Sequence, residues 1–286
     1  NGEKPFVKYY TNKARQAGMT LIELTVVLLV LVGLAGLMIP YVSGFVGKTH
    51  DATGSGNIQA LSNAIVRYET EKGRYPKGMD SLINGSSNGL IDYTMADVMM
   101  GATIADYGFT ALDLSAVVAT TQSASAAVCG SLLKAGIDKT AAMLDSSVAD
   151  FNATFNNASG TMTIGNAMDN TCAGYVVEVD SAKVEAALGR PVNASRKYIA
   201  FGIGQKSELV GKTMNEAPVH FAKNADMNAS MAYNRFIAIF EVDAVATHTP
   251  KTATRATYFG TVMAMNKLVG LQTELGNYYA DSAANN

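Results

Sequence analysis

The sequence predicts an α+β protein with a long N-terminal hydrophobic helix, followed by a globular head that holds an antiparallel sheet of about four strands and additional helices. Three observations carry that expectation. Residues 18–40, GMTLIELTVVLLVLVGLAGLMIP, form a run of about twenty apolar residues, a bilayer-spanning length, broken by a single acid at Glu23. Residues 57–84, NIQALSNAIVRYETEKGRYPKGMDSLIN, repeat apolar residues every three or four positions. Beyond residue 170, four short segments rich in β-branched and aromatic residues alternate or run apolar.

In chain order, residues 1–18 carry Lys4, Lys8, Lys13 and Arg15 against Glu3, a basic flank that the positive-inside bias keeps cytoplasmic. A secretory signal places its small-residue cleavage site after the apolar run. Here the small residue, Gly18, precedes the run and no Ala-x-Ala site follows it, so the apolar stretch is read as retained, as an anchor or as an assembly element. Residues 19–72 are predicted as one helix and 73–286 as the head. A carboxylate inside an apolar span costs about 2.5–3.5 kcal/mol and needs a partner. A cut between Gly18 and Met19 would place a new α-amino group one helical turn from Glu23. Gly33, Gly36, Gly44 and Gly47 weaken the helix, and Pro40 removes a hydrogen bond, so a kink or melted stretch is predicted around 33–44. Further on, Ile58, Leu61, Ile65 and Tyr68 form one apolar stripe, with Gln59, Ser62, Asn63, Arg67 and Glu69 on the other face. The helix is predicted to stop at KGRYPKG, where Gly73 suits a left-handed terminus and Pro76 cannot continue the ladder.

In the head, residues 94–150 are Ala-rich, and TALDLSAVVA and DKTAAMLDSSVADF read as short helices. SSNG is a loop, and Asn/Thr/Gly-rich turns fill 152–172. GYVVEVD, KYIAFGIG, RFIAIFEVDA and TATRATYFG are the four predicted strands. DSAKVEAALG between the first two is a short helix, capped by Asp180 or Ser181 and stopped by Gly189. GTVMAMNKLVGLQTELGNYY places Val262, Leu268, Leu271, Leu275 and Tyr278 near helical spacing and is predicted to pack on the sheet.

Gly18-Met19-Thr20-Leu21-Ile22-Glu23-Leu24, followed by an apolar run that reaches Pro40, resembles the N-terminus of type IV pilins and type II secretion pseudopilins. The Gly-Arg-Tyr-Pro stretch after the helix extends the likeness to about residue 84 and looks especially like the major pseudopilins. The resemblance implies that residues 1–18 are a leader, and that a prepilin peptidase cuts after Gly18 and methylates Met19, a position where the family most often has Phe. It also implies that Glu23 and Pro40 are the family's assembly glutamate and helix-breaking proline. Expected partners are identical or related pilin subunits, the peptidase, the inner-membrane assembly machinery and, before assembly, the membrane itself. The expected location is the inner membrane for the precursor and an extracellular filament or periplasmic pseudopilus after assembly.

Composition narrows the remaining choices. Twenty-two basic residues against 24 acidic ones give a net charge of −2 with no long single-sign block, so no specific nucleic-acid partner is indicated. Cys129 and Cys172 are the two cysteines; in an oxidising compartment they form one bridge, the alternative being two small buried thiols. Catalytic residues, metal ligands and cofactors are not expected. His50, His220 and His248 lack metal-ligand spacing, FGIGQKSELVGK lacks the order of a phosphate loop, and the aspartates lack calcium-loop spacing. Asn-x-Ser/Thr occurs at Asn84, Asn152, Asn157, Asn193 and Asn228, as chance allows in a chain rich in these residues. The first functional reading is a structural subunit of a type IV pilus-like filament. The alternative is a type II secretion pseudopilin, and the remote alternative a singly anchored periplasmic binding or enzyme domain.

Overall fold

A computed structural model of the chain describes residues 8–84, 108–115, 122–143, 160–169, 171–219, 235–264 and 268–269; within the first helix the side chains of 8–20, 37 and 39–47 fall outside that description. The elements in chain order are α1 (Lys8–Lys72), β1 (Asp80–Asn84), β2 (Phe109–Asp113), α2 (Ala124–Lys134), β3 (Lys139–Met143) and β4 (Gly160–Thr163). They continue with β5 (Gly165–Asn166), β6 (Thr171–Cys172), β7 (Tyr175–Val179), α3 (Ser181–Leu188), β8 (Arg196–Gly202), β9 (Phe236–Asp243), β10 (Thr257–Ala264) and β11 (Leu268–Val269). The chain divides into two compact units, Asn1–Thr49 and His50–Asn286, and α1 contributes to both.

The fold class needs correction in three respects. The first is the N-terminal helix: among the described residues no helix is long and apolar enough to cross a membrane. The apolar stretch from Leu21 is interrupted by the Glu23 carboxylate, which costs about 2.5–3.5 kcal/mol inside a bilayer. The second is continuity: α1 starts at Lys8 rather than residue 19 and stays helical through 33–44. Glycines cost only ~1 kcal/mol each, and a helix once nucleated propagates past them and past one lost proline hydrogen bond. The third is the sheet, which among the described residues has nine strands rather than about four and is not wholly antiparallel, because β1 and β3 pair parallel with Asp80 opposite Ala141.

The four expected strands are present as the consecutive antiparallel ladder β7–β8–β9–β10. β8 also pairs with β1, from which the path continues to β3 and β4, while β2 joins the outer side of β7. Period-two alternation sends successive side chains to opposite faces. Ile199, Phe201, Phe236, Ala238, Phe240 and Val242 therefore pack in one core with the α1 stripe and α2. Tyr198, Ala200, Ile237, Ile239 and Val262 pack in a second core with Val184 and Ala187 of α3. Burial on both faces explains why RFIAIFEVD is nearly continuously apolar. Around this frame, Ile58, Leu61, Ile65 and Tyr68 are all buried, and Gly73 closes α1 at φ 67° with its N–H donating to the Glu69 carbonyl at 2.7 Å. Asp180 caps α3 through the Ala182 N–H, and Gly189 ends it in the left-handed conformation.

The first parts of two Ala-rich stretches read as helices are instead strands, and the remainders, 116–119 and 144–151, lie outside the described residues. FTALD forms β2 against β7, and KTAAM forms β3 between β1 and β4. Alanine and leucine favour a helix locally, but the neighbouring ladders supply partners that outweigh a preference of a few tenths of a kcal/mol per residue. The expected helix over 260–279 begins as the end of β10 and as β11; its remainder, together with the SSNG loop, lies outside the described residues.

Candidate assembly site

α1 exposes an unusual surface in its first unit. From Leu21 to Leu34 the large apolar side chains are exposed on every side of the helix, with Leu29 at 76% and Val32 at 69%. A helix that is apolar all round requires cover, and a contiguous exposed apolar surface marks an interaction site. Glu23 is also exposed here, one carboxylate among Leu21, Ile22 and Leu24. Thr25 satisfies its hydroxyl locally by donating to the Ile22 carbonyl at 2.9 Å, so it adds no free polar group to this surface. The backbone of Gly18, Met19 and Pro40 lies within α1, and the Met19 and Pro40 side chains fall outside the described residues.

The far end of α1 is held by charge as well as by packing. Glu208, in the loop after β8, accepts from the Tyr68 hydroxyl at 2.7 Å, from both Arg74 amino groups at 2.7 and 3.2 Å, and from the Lys77 N–H at 3.0 Å. Burial pushes the Glu208 carboxyl up, but Arg74, the Lys77 N–H and Tyr68 outweigh it and bring it down to about 2. Burial, reinforced by the Glu208 carboxylate, raises the Tyr68 hydroxyl to about 12, so it stays a donor. Nearby, Lys77 pairs with Asp138 at 2.7 Å and Arg255 with Glu69 at 2.6 Å. Tyr258 donates to Ser62 of α1 at 2.8 Å while its own N–H reaches the Tyr75 hydroxyl at 2.9 Å. The helix is thus tied to Glu208 and to the 255–258 segment, and the chain just beyond it to Asp138.

Two further ties stabilise the same unit. Cys129 of α2 and Cys172 of β6 are bonded, closing a separation of 43 residues. Asp243 accepts from the Val245 N–H at 3.0 Å, the Thr254 N–H at 2.7 Å and the His248 ring at 2.7 Å, pinning the loop that leads to Arg255. Burial pushes this carboxyl up too, but the two N–H groups and His248 hold it at about 2. The Asp–His pair has the orientation of a hydrolytic dyad, but no described nucleophile is bonded to its outer nitrogen, and it acts here as a loop latch. Among the described residues no group of three or more His, Cys, Asp or Glu is placed to hold a metal.

A stretch of 75 residues is 39% identical to the type II secretion system core protein G of Aeromonas hydrophila. The pilin and pseudopilin resemblance holds. The match spans 25% of this chain and 52% of that protein, so the chain spans about half the length of the curated relative it matches. No family model and no solved structure matches.

Reasoning from sequence missed the Glu208 cluster. The spacing places Tyr68 in an apolar stripe and Arg74 in the Gly-Arg-Tyr-Pro stop, and no local pattern links either to Glu208 in FGIGQKSELVGK. A polar tip on an otherwise buried stripe is the signal that identifies it, since a buried tyrosine hydroxyl requires a partner.

Proposed function

We propose that this chain is a pseudopilin, a structural subunit that polymerises with identical or related subunits into a periplasmic filament serving type II secretion. The observation that carries the reading is the 39% identity over 75 residues to a type II secretion core protein, which favours the secretion alternative over a surface pilus. It is supported by the all-round apolar surface of Leu21 to Leu34, which needs cover from neighbouring helices. In this reading a prepilin peptidase cuts between Gly18 and Met19 and methylates the new terminus, and the assembly machinery then incorporates the subunit. Glu23 pairs with the Met19 α-amino group of the same or a neighbouring subunit, and Pro40 shapes the helix within the filament. Oxidation of Cys129 and Cys172 follows from export. The subunit has no chemistry of its own.

The test is deletion of the gene in its host, scored for export of secreted enzymes and for surface filaments. Enzymes trapped in the periplasm with normal surface filaments support the pseudopilin; normal export with lost surface filaments returns the chain to the pilus class. Neither defect overturns both.

A further inference from the structure

The end of α1 gathers more positive charge than the clamp uses. Arg74 and Lys77 are matched by Glu208 and Asp138. Four more lysines stand around them, all exposed: Lys72, Lys139, Lys206 and Lys212. Lys72 lies one helical turn beyond Tyr68, and the Lys212 ammonium sits 5.5 Å from the centre of the Tyr68 ring. The backbones of Lys139 and Lys206 converge at Gly78, whose N–H donates to the Lys139 carbonyl at 3.1 Å. A Cβ added at Gly78 would lie 2.5 Å from the Lys206 carbonyl oxygen. Among the described residues none of these four lysines has a carboxylate partner, while the nearby carboxylates Glu69, Glu71, Asp138 and Glu208 are already bonded to Arg255, Arg67, Lys77 and Arg74. The four lysines are therefore in excess of the paired charges around them. Since the whole chain carries −2, the remainder of it is about six units negative.

We propose that this basic rim docks the carboxylate-bearing surface of a second copy of the same chain. The inference rests on the filament reading and deepens it by naming the surface through which successive heads recognise each other. A positive patch meeting a differently placed acidic surface is a heterologous contact, and such contacts repeat head to tail into open helical polymers. Exposed charges also speed encounter and discriminate against like-charged partners, at modest cost to screening. Lysine suits this role because its ammonium is a mobile point charge that adapts to a neighbour's carboxylate. Lys139 and Lys206 are exposed and outside both cores, so their reversal spares the Tyr68–Glu208 clamp.

The experiment uses the full chain in detergent micelles, mixing unlabelled and nitrogen-15 copies before zero-length carbodiimide cross-linking and peptide mass spectrometry. Lysine-to-carboxylate links from Lys72, Lys139, Lys206 or Lys212 are expected between differently labelled copies. Self-association measured by sedimentation is expected to weaken at least tenfold between 20 and 300 mM salt, as the screening length shrinks from roughly 20 Å to roughly 6 Å. Lys139→Glu with Lys206→Glu is expected to lower association about tenfold at low salt, with the thermal melt unchanged. Association that is salt-independent and unaffected by the reversals overturns the docking surface but leaves the filament reading standing. No self-association at any salt overturns the filament reading. Equal binding to DNA or anionic vesicles without inter-copy links assigns the rim to another partner and overturns the proposal.

Discussion

Replacing Glu208 by glutamine tests whether the charge cluster, rather than apolar packing alone, fastens the end of α1. The substitution keeps the shape but removes the charge that two Arg74 amino groups, the Lys77 N–H and the Tyr68 hydroxyl all face. A carboxyl lowered from 4.5 to about 2 corresponds to an upper bound of about 3 kcal/mol at neutral pH. The side chain is 29% exposed, so solvent screening reduces this to roughly 2 kcal/mol. Because the folded value is depressed, the stabilisation is complete above about 4.5 and is lost as pH falls toward about 2. Urea denaturation of the full chain in detergent, from pH 7 to pH 3, is the assay. The difference between the parent and Glu208→Gln is expected to be constant from pH 7 to pH 5, then to fall by more than half by pH 3. A difference that does not depend on pH, or one below 0.5 kcal/mol at pH 7, would refute the assignment of the tie to the Glu208 carboxylate.

Asp243→Asn removes the charge from a carboxylate that is 1% exposed; it is expected to cost roughly 2 kcal/mol at pH 7, a loss that vanishes as pH falls from 3.8 toward about 2, read by the same denaturation series. Reduction of the Cys129–Cys172 bond, which spans 43 residues, is expected to lower stability by about 4 kcal/mol in the chain-entropy model, checked by melting with and without reductant. Gly130→Ala drives a Cβ to 2.2 Å from the Pro250 carbonyl oxygen and is expected to destabilise by about 1–3 kcal/mol, whereas Gly56→Ala, with nothing within 4 Å, is expected to stabilise by up to ~1 kcal/mol; paired thermal melts compare them. Glu23→Ala is expected to leave head stability unchanged and sharply reduce filament yield, counted by electron microscopy; normal yield would remove Glu23 from assembly.

Elements whose local preference and tertiary setting agree were legible in the sequence. α3 has its cap, its stop and a two-residue buried face, and it sits where its sequence places it. The α1 stripe and strands β7 to β10 were readable for the same reason, since periodicity and burial coincide. β2 and β3 were not, because FTALD and KTAAM carry helix-favouring residues and become strands only when β7 and β1 offer ladders. The parallel β1–β3 pair depends on a crossover through α2, a long-range choice that no local pattern records. The Glu208 cluster joins residues 140 and 134 positions apart and was equally invisible to spacing.

The two halves of α1 differ in what their exposure means. Residues 58, 61, 65 and 68 are buried by their own chain, and the outward face there carries Gln59, Asn63 and Arg67, so the apolar stripe of this half is covered within the chain. Leu21 to Leu34 have no such division: each turn presents leucine or valine on every side, with one carboxylate among them. About 25 cal/mol per Å² of apolar surface is gained when such side chains leave water, so an isolated chain leaves a large favourable term unrealised. A single helix has no remaining face to turn inward, so its cover must come from outside it. In the filament proposed above, several neighbouring helices packed around Leu21 to Leu34 would cover all sides at once.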